Sequence, residues 1–220
     1  MLKIPCSVSC LGFGRLFLAV LLAGTPLAAA SARAAPPPAG VGETQVASQL
    51  YAGYWKAMMA RAGRGEAACE GPLDRGCGLG VWQDLIERLR GAEATRQLTE
   101  VNRAVNRVRY RDDQDNWGRP DYWAAPGEFL GRGGDCEDFA IAKYLALRAL
   151  GYGPDDLRLL ILFDARRARA HAVLGVVLDG RVLVLDNLRG EILPLGDLPH
   201  YRVGYSLNER KVVRHLTRNP

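Results

Sequence analysis

Two apolar runs separated by Asp179-Gly180 restrict the fold of this chain more than any other feature. The first run is His171-Ala172-Val173-Leu174-Gly175-Val176-Val177-Leu178, and the second is Arg181-Val182-Leu183-Val184-Leu185-Asp186-Asn187. An Asp-Gly pair between runs rich in β-branched residues is a strong signal for a hairpin with a two-residue turn. We therefore predict antiparallel strands over residues 171–178 and 181–187.

The two-residue turn also determines which residues of the hairpin share a face. Leu178 then lies opposite Arg181, and Asp186 lies opposite Val173. Side chains alternate between the two faces along a strand, so His171 points the same way as Val173 and Asp186. Such diagonal neighbours lie roughly 7–8 Å apart at the backbone, close enough for their side chains to meet. The hairpin therefore predicts a pair between His171 and Asp186.

A cysteine stands where a glycine-rich turn gives way to an apolar helical pattern, in Gly134-Asp135-Cys136-Glu137-Asp138-Phe139-Ala140. The start of a helix favours thiolate over thiol, which lowers a cysteine pKa that is otherwise about 8.5. Taken alone, a cysteine in such a helix is also readily explained as a packing residue. Together with His171 as base and Asp186 as the group that orients the imidazole, however, Cys136 completes a Cys-His-Asp triad.

These residues and their neighbours resemble the bacterial transglutaminase-like cysteine proteinases. The resemblance is carried by residues 123–130, 134–144, 171–174 and 185–188, and it extends from about residue 46 to residue 214. It implies a papain-like core and a protease that uses Cys136, His171 and Asp186. For the type that releases large surface adhesins, it implies cleavage at an Ala-Ala bond in the N-terminal region of a repeat-containing adhesin. It also implies sequestration by an inner-membrane cyclic-di-GMP receptor.

Residues 1–34 have the pattern of a secretory signal peptide. Lys3 and Arg15 accompany an apolar run that reaches Ala30, and residues 32–34 offer a small-x-small cleavage site. The alternative, an uncleaved anchor, would need about 20 apolar residues, whereas residues 24–26 interrupt this run. We therefore expect a periplasmic protein with no later membrane span. Residues 35–42 are expected to form a disordered lead-in, and residues 43–220 a single domain.

The charge of the chain disfavours nucleic acid as a partner. The formal net charge is +5, but Lys3, Arg15 and Arg33 leave with the signal peptide, which contains no acid, so the mature charge is +2. The basic pI of about 9.1 therefore mostly reflects the leader. A basic charge is the main sequence feature that would indicate nucleic-acid binding, so functions based on such binding are disfavoured.

Cys69, Cys77 and Cys136 are the cysteines that remain beyond residue 34. In an oxidising compartment we predict a disulfide between Cys69 and Cys77, with two separate thiols as the alternative. Zinc is disfavoured because neither a histidine nor a second cysteine pair lies nearby. Cys136 is then the candidate for the reactive thiol.

The acids beside Cys136 oppose its role as a thiolate. A carboxylate about 6 Å from the sulfur, at an effective dielectric of about 20, repels the thiolate by about 3 kcal/mol, or about two pKa units. Helix capping by Asp135 is one explanation for these acids. The other is calcium bound by Asp135 and Glu137, which the resemblance also implies. Further ligands would come from carbonyls, water or residues 112–116, although residues 113–118 fail the EF-hand pattern because Trp117 replaces an oxygen ligand.

The remaining pattern predicts an α+β fold. Helices are expected near residues 44–61, 80–90 and 92–109, and another is expected from Cys136 to Gly151. Strands are expected at 157–163, 171–178 and 181–187, with others at an edge between 193 and 205. Helices first and strands afterwards indicate N-terminal helices and a nucleophile helix packed on an antiparallel sheet, which is the transglutaminase-like core that the resemblance implies.

Several other residues have competing interpretations. Trp123 is either a core aromatic or a neighbour of the oxyanion site. The arginines of residues 166–169 form either a solvated turn or a contact for the substrate. His200 and His215 are predicted at the surface, and neither is expected to act as a base.

Two other classes of function remain open at this stage. A transglutaminase or an amidase would use the same triad with a different acceptor for the thioester. A non-catalytic periplasmic binding module would be expected to lack one of the three triad residues, and all three are present in the chain.

Overall fold

The computed structural model describes residues 41–63 and 78–215. The predicted signal peptide and the predicted disulfide between Cys69 and Cys77 lie outside these residues and stay predictions. Residues 41 and 42, expected to belong to the lead-in, already form part of a helix. None of the helices in the described ranges is both long and apolar enough to cross a membrane.

Helices occupy the first part of the described chain, as predicted. Their bounds are α1 Val41–Gly63, α2 Gly78–Leu89, α3 Ala94–Val105, α4 Asp113–Trp117, α5 Pro126–Arg132 and α6 Cys136–Ala149. The helix expected over residues 92–109 ends early, at Val105. Beyond it the side chain of Asn106 donates hydrogen bonds to the backbone oxygens of Asp186, at 2.8 Å, and Arg189, at 3.2 Å. These contacts tie the end of α3 to the loop after the hairpin.

Two short helices, α4 and α5, lie between α3 and α6, where no helix was predicted. Helix α5 begins at Pro126, a residue whose fixed φ suits the first turn of a helix. The side chain of Glu128 accepts the backbone N–H of Ala125 at 2.7 Å, which satisfies one of the donors left open at the helix start. Local capping therefore gives order to this polar segment.

The strands form one antiparallel sheet in the order β4-β3-β2-β1-β5-β6. Their bounds are β1 Leu157–Asp164, β2 Arg169–Leu178, β3 Arg181–Leu185, β4 Leu193–Pro194, β5 Tyr201–Leu207 and β6 Val212–Arg214. The predicted α+β fold is confirmed. The prediction that the strands after residue 193 lie at an edge is right for β4 and wrong for β5, which pairs with β1 inside the sheet.

The β2–β3 hairpin has the predicted register. Leu178 pairs with Arg181 and Leu174 with Leu185. Asp179 and Gly180 have φ values of 50° and 73°, the left-handed backbone that a tight type I′ turn requires at both central residues. Strand β3 ends at Leu185 rather than at Asn187, so Asp186 lies directly beyond the last pair of the ladder.

Both faces of the central strands are buried. Helix α6 covers one face, where Ile141 and Leu147 belong to the same core as Leu159 of β1 and Leu174 of β2. A smaller cluster fills the other face and includes Val173 and residues 198 and 201. Because α6 packs on the middle of the sheet, its first residue, Cys136, is held at one end of the strands.

Lys143 is the exception in this apolar interior. It lies on α6 with no exposed surface, and its Nζ is 3.5 Å from the backbone oxygen of Leu185. Burial lowers the pKa of Lys143 to about 7, although the nearby charge of Asp186 opposes this. A buried ammonium group with so few partners destabilises the fold.

We predict that Lys143→Met raises the free energy of unfolding by about 1–4 kcal/mol at neutral pH. The unfolded lysine binds a proton below about pH 10.4, whereas the folded one does so only below about pH 7. The parent chain therefore loses stability as the pH falls from about 10 to about 7. The increase in unfolding free energy that Lys143→Met produces should accordingly become smaller towards pH 10.

Urea unfolding at pH 7.5, 8.5 and 9.5 measures this gain. The matched control is Lys56→Met, at an exposed position on α1, which should change stability little at any of these values. A gain at Lys143 that is independent of pH would contradict the prediction.

Candidate active site

The structure brings His171 and Asp186 together. Nε2 of His171 lies 2.9 Å from Oδ1 of Asp186. Both residues are buried, His171 at 4% exposure and Asp186 at 0%. Because a carboxylate can only accept, Nε2 carries the proton and Nδ1 keeps a lone pair for a second partner.

The carboxylate of Asp186 is held by several donors. Its Oδ1 also accepts the backbone N–H of Leu188 at 2.9 Å, and its Oδ2 accepts the hydroxyl of Tyr201 at 2.5 Å. Nε of Arg189 lies 3.4 Å from Oδ2. Burial by itself raises the pKa of this carboxyl group, but the hydrogen bonds from His171, Tyr201 and Leu188 outweigh it and hold the pKa of Asp186 well below its ordinary value.

Cys136 and His171 line the same cavity. The cavity has a volume of about 180 Å³, and its wall also includes Tyr110, Asn187 and Leu188. Cys136 is the first residue of α6, where the helix dipole favours a negative sulfur. The three predicted residues thus belong to one site.

Two arginines face the same cavity from the turn between β1 and β2. Arg167 and Arg169 line it, whereas Arg166 does not. The turn is held by Asp164, whose Oδ1 accepts the backbone N–H of Arg166 at 2.9 Å and that of Arg167 at 3.3 Å. The turn is therefore ordered, and two of its three arginines are positioned to meet a bound molecule.

Trp123 belongs to the core. It is 1% exposed, and its ring stacks on those of Tyr51, at 6.1 Å, and Tyr54, at 5.5 Å. It does not line the cavity that holds Cys136. Of its two interpretations, the structure favours packing.

The prediction that His200 is a surface residue is wrong. It is 8% exposed, and its ring lies 4.5 Å from that of Tyr201. The reason is that residues 195–201 cover the second face of the sheet, which no local pattern indicates. His215 is exposed as predicted, with its Nε2 2.8 Å from Oγ of Ser206.

Carboxyl groups from three segments converge beside Cys136. One oxygen each of Asp113, Asp135 and Asp138 lie within 4.8 Å of one another, and so do one oxygen each of Asp113, Asp121 and Glu137. An oxygen of Asp135 and one of Glu137 form a third such group with Sγ of Cys136. Asp135 and Glu137 were predicted to meet here, and Asp113 belongs to the segment expected to supply further ligands. Asp121 and Asp138 were not predicted as ligands.

The cluster carries more negative charge than the described residues can neutralise. Burial and neighbouring carboxylates raise the pKa of Asp113 to about 8, and burial followed by the charge of Asp135 raises that of Asp121 to about 6. Burial also raises the pKa of Asp135 to about 6 and that of Glu137 well above its usual range. Each of these four side chains has one buried oxygen without a hydrogen-bond partner among the described residues.

Capping explains only one member of the cluster. Oδ1 of Asp138 accepts the N–H of Ala124 at 2.7 Å, and its Oδ2 accepts that of Asp135 at 3.2 Å. A Cβ at Gly134 would lie 2.1 Å from this Oδ2, so the close approach requires glycine. The unpartnered oxygens of Asp135 and Glu137 need another cause, and the donor set suits a hard divalent cation such as Ca²⁺.

Glu137 also lies close to the sulfur. Its Oε2 is 3.4 Å from Sγ of Cys136. At this distance an ionised carboxylate repels a thiolate more strongly than one at about 6 Å would. An ionised and uncompensated Glu137 would therefore oppose the thiolate strongly. A cation held by the cluster would remove this opposition.

Comparisons with known proteins agree in sequence and in structure. Residues 80–210 match the family described as bacterial transglutaminase-like cysteine proteinase. A structure of Legionella pneumophila LapG is 35% identical with a TM-score of 0.56, over 61% of this chain and 76% of that chain. The EGTA-treated form of the same protein is 35% identical with a TM-score of 0.58, over 64% of this chain and 77% of that chain. The calcium-bound form is 31% identical with a TM-score of 0.60, over 75% of this chain and 90% of that chain.

Comparison with curated protein sequences found no match. The family match covers more than half of the chain, and the calcium-bound LapG structure is similar over three quarters of it. The antiparallel sheet with the cysteine-bearing helix on its face agrees with this result. The chain therefore belongs to the bacterial transglutaminase-like cysteine proteinases.

Proposed function

We propose that this chain is a periplasmic, calcium-dependent cysteine endopeptidase that cleaves the N-terminal region of a large repeat-containing surface adhesin. Family membership makes it a cysteine peptidase. The observation that carries the choice of residues is the buried pair of His171 and Asp186, which opens on the same cavity as Cys136.

In the proposed mechanism Nδ1 of His171 takes the proton of the Cys136 thiol, and the sulfur attacks the carbonyl carbon of the scissile peptide bond. The resulting imidazolium gives its proton to the leaving amine as the C–N bond breaks, which leaves a thioester. Water then attacks the thioester, with His171 as base, and releases the new carboxyl terminus and the thiol. Asp186 keeps the proton on Nε2 and stabilises the imidazolium between these steps.

The oxyanion of each tetrahedral intermediate needs hydrogen-bond donors. The backbone N–H of Cys136 is one, because the first N–H groups of a helix have no partner inside the helix. The amide of Asn187 is an uncharged donor in the described cavity wall that can supply a second hydrogen bond, whereas the hydroxyl of Tyr110 already donates to Oδ1 of Asp112 at 3.3 Å.

Calcium would be held by Asp113, Asp121, Asp135 and Glu137, whose unpartnered oxygens support this assignment. Bound there, it would supply the positive charge that lets these carboxylates ionise beside the thiolate. The calcium-bound form of the similar Legionella pneumophila LapG supports the same choice of ion. Asp138 is engaged as a cap and is left out of the proposed ligand set.

The substrate, the compartment and the regulator follow from resemblance. The likeness to LapG supports an adhesin cleaved at an Ala-Ala bond, and it also supports sequestration by an inner-membrane cyclic-di-GMP receptor. The signal-peptide pattern of residues 1–34 supports export to the periplasm.

We predict that Cys136→Ala abolishes cleavage of an adhesin N-terminal fragment and that His171→Ala lowers kcat/KM at least about a thousandfold. The double variant should be no worse than either single one, because the residues act as a unit. Cleavage is followed by electrophoresis in a buffer that contains a thiol reductant and calcium. Circular dichroism establishes that each variant is folded.

The matched control is His215→Ala, which removes an exposed imidazole far from the triad in sequence and should cleave like the parent chain. Additive losses in the double variant, or full activity of Cys136→Ala, would rule out the triad. Incorporation of a labelled amine into a glutamine peptide would instead point to a transglutaminase.

We predict that Tyr201→Phe lowers kcat/KM about tenfold, because a hydrogen bond to a charged group contributes about 1.5–3 kcal/mol. Its loss leaves Nε of Arg189, at 3.4 Å, as the described partner of Oδ2, so the carboxylate orients His171 less firmly. Tyr205→Phe, on the same strand, is the control, since its hydroxyl makes no contact with Asp186. An unchanged kcat/KM for Tyr201→Phe would show that Asp186 does not depend on this donor.

We predict that EGTA inhibits the protease and that added calcium restores it. Asp135→Ala and Glu137→Ala should weaken calcium binding in calorimetry together with activity, and Asp113→Asn should do the same through an oxygen from α4. Asp115→Asn, at an exposed position of α4, is the control and should bind calcium normally. Undiminished cleavage in excess EGTA, with no heat of calcium binding, would leave capping as the sufficient explanation.

A further inference from the structure

A groove of about 620 Å³ lies between α2, α3 and α5. Part of its lining is apolar, including Trp82, Leu85 and Leu130, and Val81 is 67% exposed. The rest is strongly basic. We term it the arginine groove, after the six arginines that line it: Arg88, Arg103, Arg107, Arg109, Arg111 and Arg132.

The positive charge of the arginine groove is not balanced by the described residues. Glu100 is the single acidic residue of its described lining, and it is engaged with Arg103 at 3.1 Å. Arg132 lies over the ring of Trp117, at 5.0 Å. The other arginines have no carboxylate partner in the described part of the chain. Guanidinium groups bind carboxylates in a bidentate manner, so this surface suits an acidic molecule.

The arginine groove adjoins the active-site cavity. Arg109 and Arg111 line the groove, and Tyr110 between them lines the cavity with Cys136. This segment is joined to Gly134, two residues before Cys136, by backbone hydrogen bonds of 2.8 Å and 3.3 Å. A molecule that fills the groove would therefore end beside the nucleophile.

A second depression extends the same surface. It has a volume of about 420 Å³ and shares Arg103 and Arg107 with the arginine groove. It also shares Asn187 and Leu188 with the active-site cavity. Basic side chains thus line the surface from the arginine groove to the active-site cavity, and Arg167 and Arg169 belong to the wall of that cavity.

We infer that the arginine groove docks an acidic segment of the polypeptide substrate that flanks the cleaved bond, with aspartates and glutamates on the arginines and apolar side chains against Trp82 and Leu130. Nucleic acid fits less well, because aliphatic side chains such as Val81, Leu85 and Leu130 form part of the lining and the chain beyond residue 34 has a formal charge of only +2. The inference rests on the proposed endopeptidase function. It adds a determinant of specificity that lies outside the triad.

Binding is tested on the full mature chain carrying Cys136→Ala, so that the outcome does not depend on catalysis. The probe is a fluorescein-labelled 20-residue peptide of alternating glutamate and leucine pairs, and its counterpart has glutamine in place of glutamate. Fluorescence anisotropy at low salt should show binding of the acidic peptide only. The added pair Arg107→Glu and Arg109→Glu should weaken it at least about tenfold, and Arg181→Glu, an exposed arginine at the start of β3, should not.

Cleavage is measured in parallel on the chain that retains Cys136. With an adhesin fragment that has acidic residues beside the Ala-Ala bond, the pair of charge reversals should raise KM about tenfold and leave kcat unchanged, since docking is uniform binding. If the parent chain cleaves nothing, the proposed function fails while the anisotropy result still decides the docking surface.

Three results would overturn the inference. The first is equal binding by the parent chain and the charge-reversed variant. The second is tighter binding of a 20-nucleotide oligo(dT) than of the acidic peptide through the same arginines, which would identify a nucleic-acid surface. The third is peptide binding that appears only after Glu66, Glu70 and Asp74 are replaced by their amides, which would make the chain's own segment the occupant of the groove.

Discussion

The ionised carboxylate of Asp186, buried without exposed surface, is the group on which the rest of the site depends. A charge in a protein interior is tolerated only where hydrogen bonds replace its hydration. Here the donors come from separate parts of the sheet, since His171 belongs to β2, Tyr201 to β5, and Leu188 to the loop after β3. The site is therefore complete only when all these strands have assembled, and the order of the sheet is part of the active site.

The region around Cys136 shows the opposite situation, because its charges are not satisfied by the described residues. Carboxylates gather on the α6 side of the nucleophile, and arginines gather on the side of α3 and the β1–β2 turn. Each set would destabilise the fold less with a partner of opposite charge in place. The two sets explain the two partners proposed above, a cation and an acidic peptide.

Local patterns were enough for the parts of the site that lie within one supersecondary unit. The Asp-Gly turn and period-two alternation gave the register that pairs His171 with Asp186, and the Gly-rich turn located the start of α6 at Cys136. The contribution of Tyr201 and the burial of His200 depend on β5 lying beside β1, a pairing between distant segments that no local period encodes. For the same reason Asp121 could not be placed near Glu137 before the fold was known.

The early end of α3 has a similar origin. Helical spacing continues past Val105, but Asn106 forms hydrogen bonds to the loop after β3 instead of extending the helix. Tertiary contacts override a helical preference of a few tenths of a kcal/mol per residue without difficulty. Element boundaries near a site are thus set by the partners that the site brings together.

The turn at Asp179-Gly180 keeps two triad residues on one face of the sheet. Side chains on a strand alternate between faces, so a slip of one residue in the pairing of Leu178 with Arg181 would turn Asp186 to the face opposite His171. A two-residue turn with a left-handed backbone at both positions opposes such a slip. An exposed segment with no chemical role of its own thereby decides whether the imidazole and the carboxylate that orients it can meet.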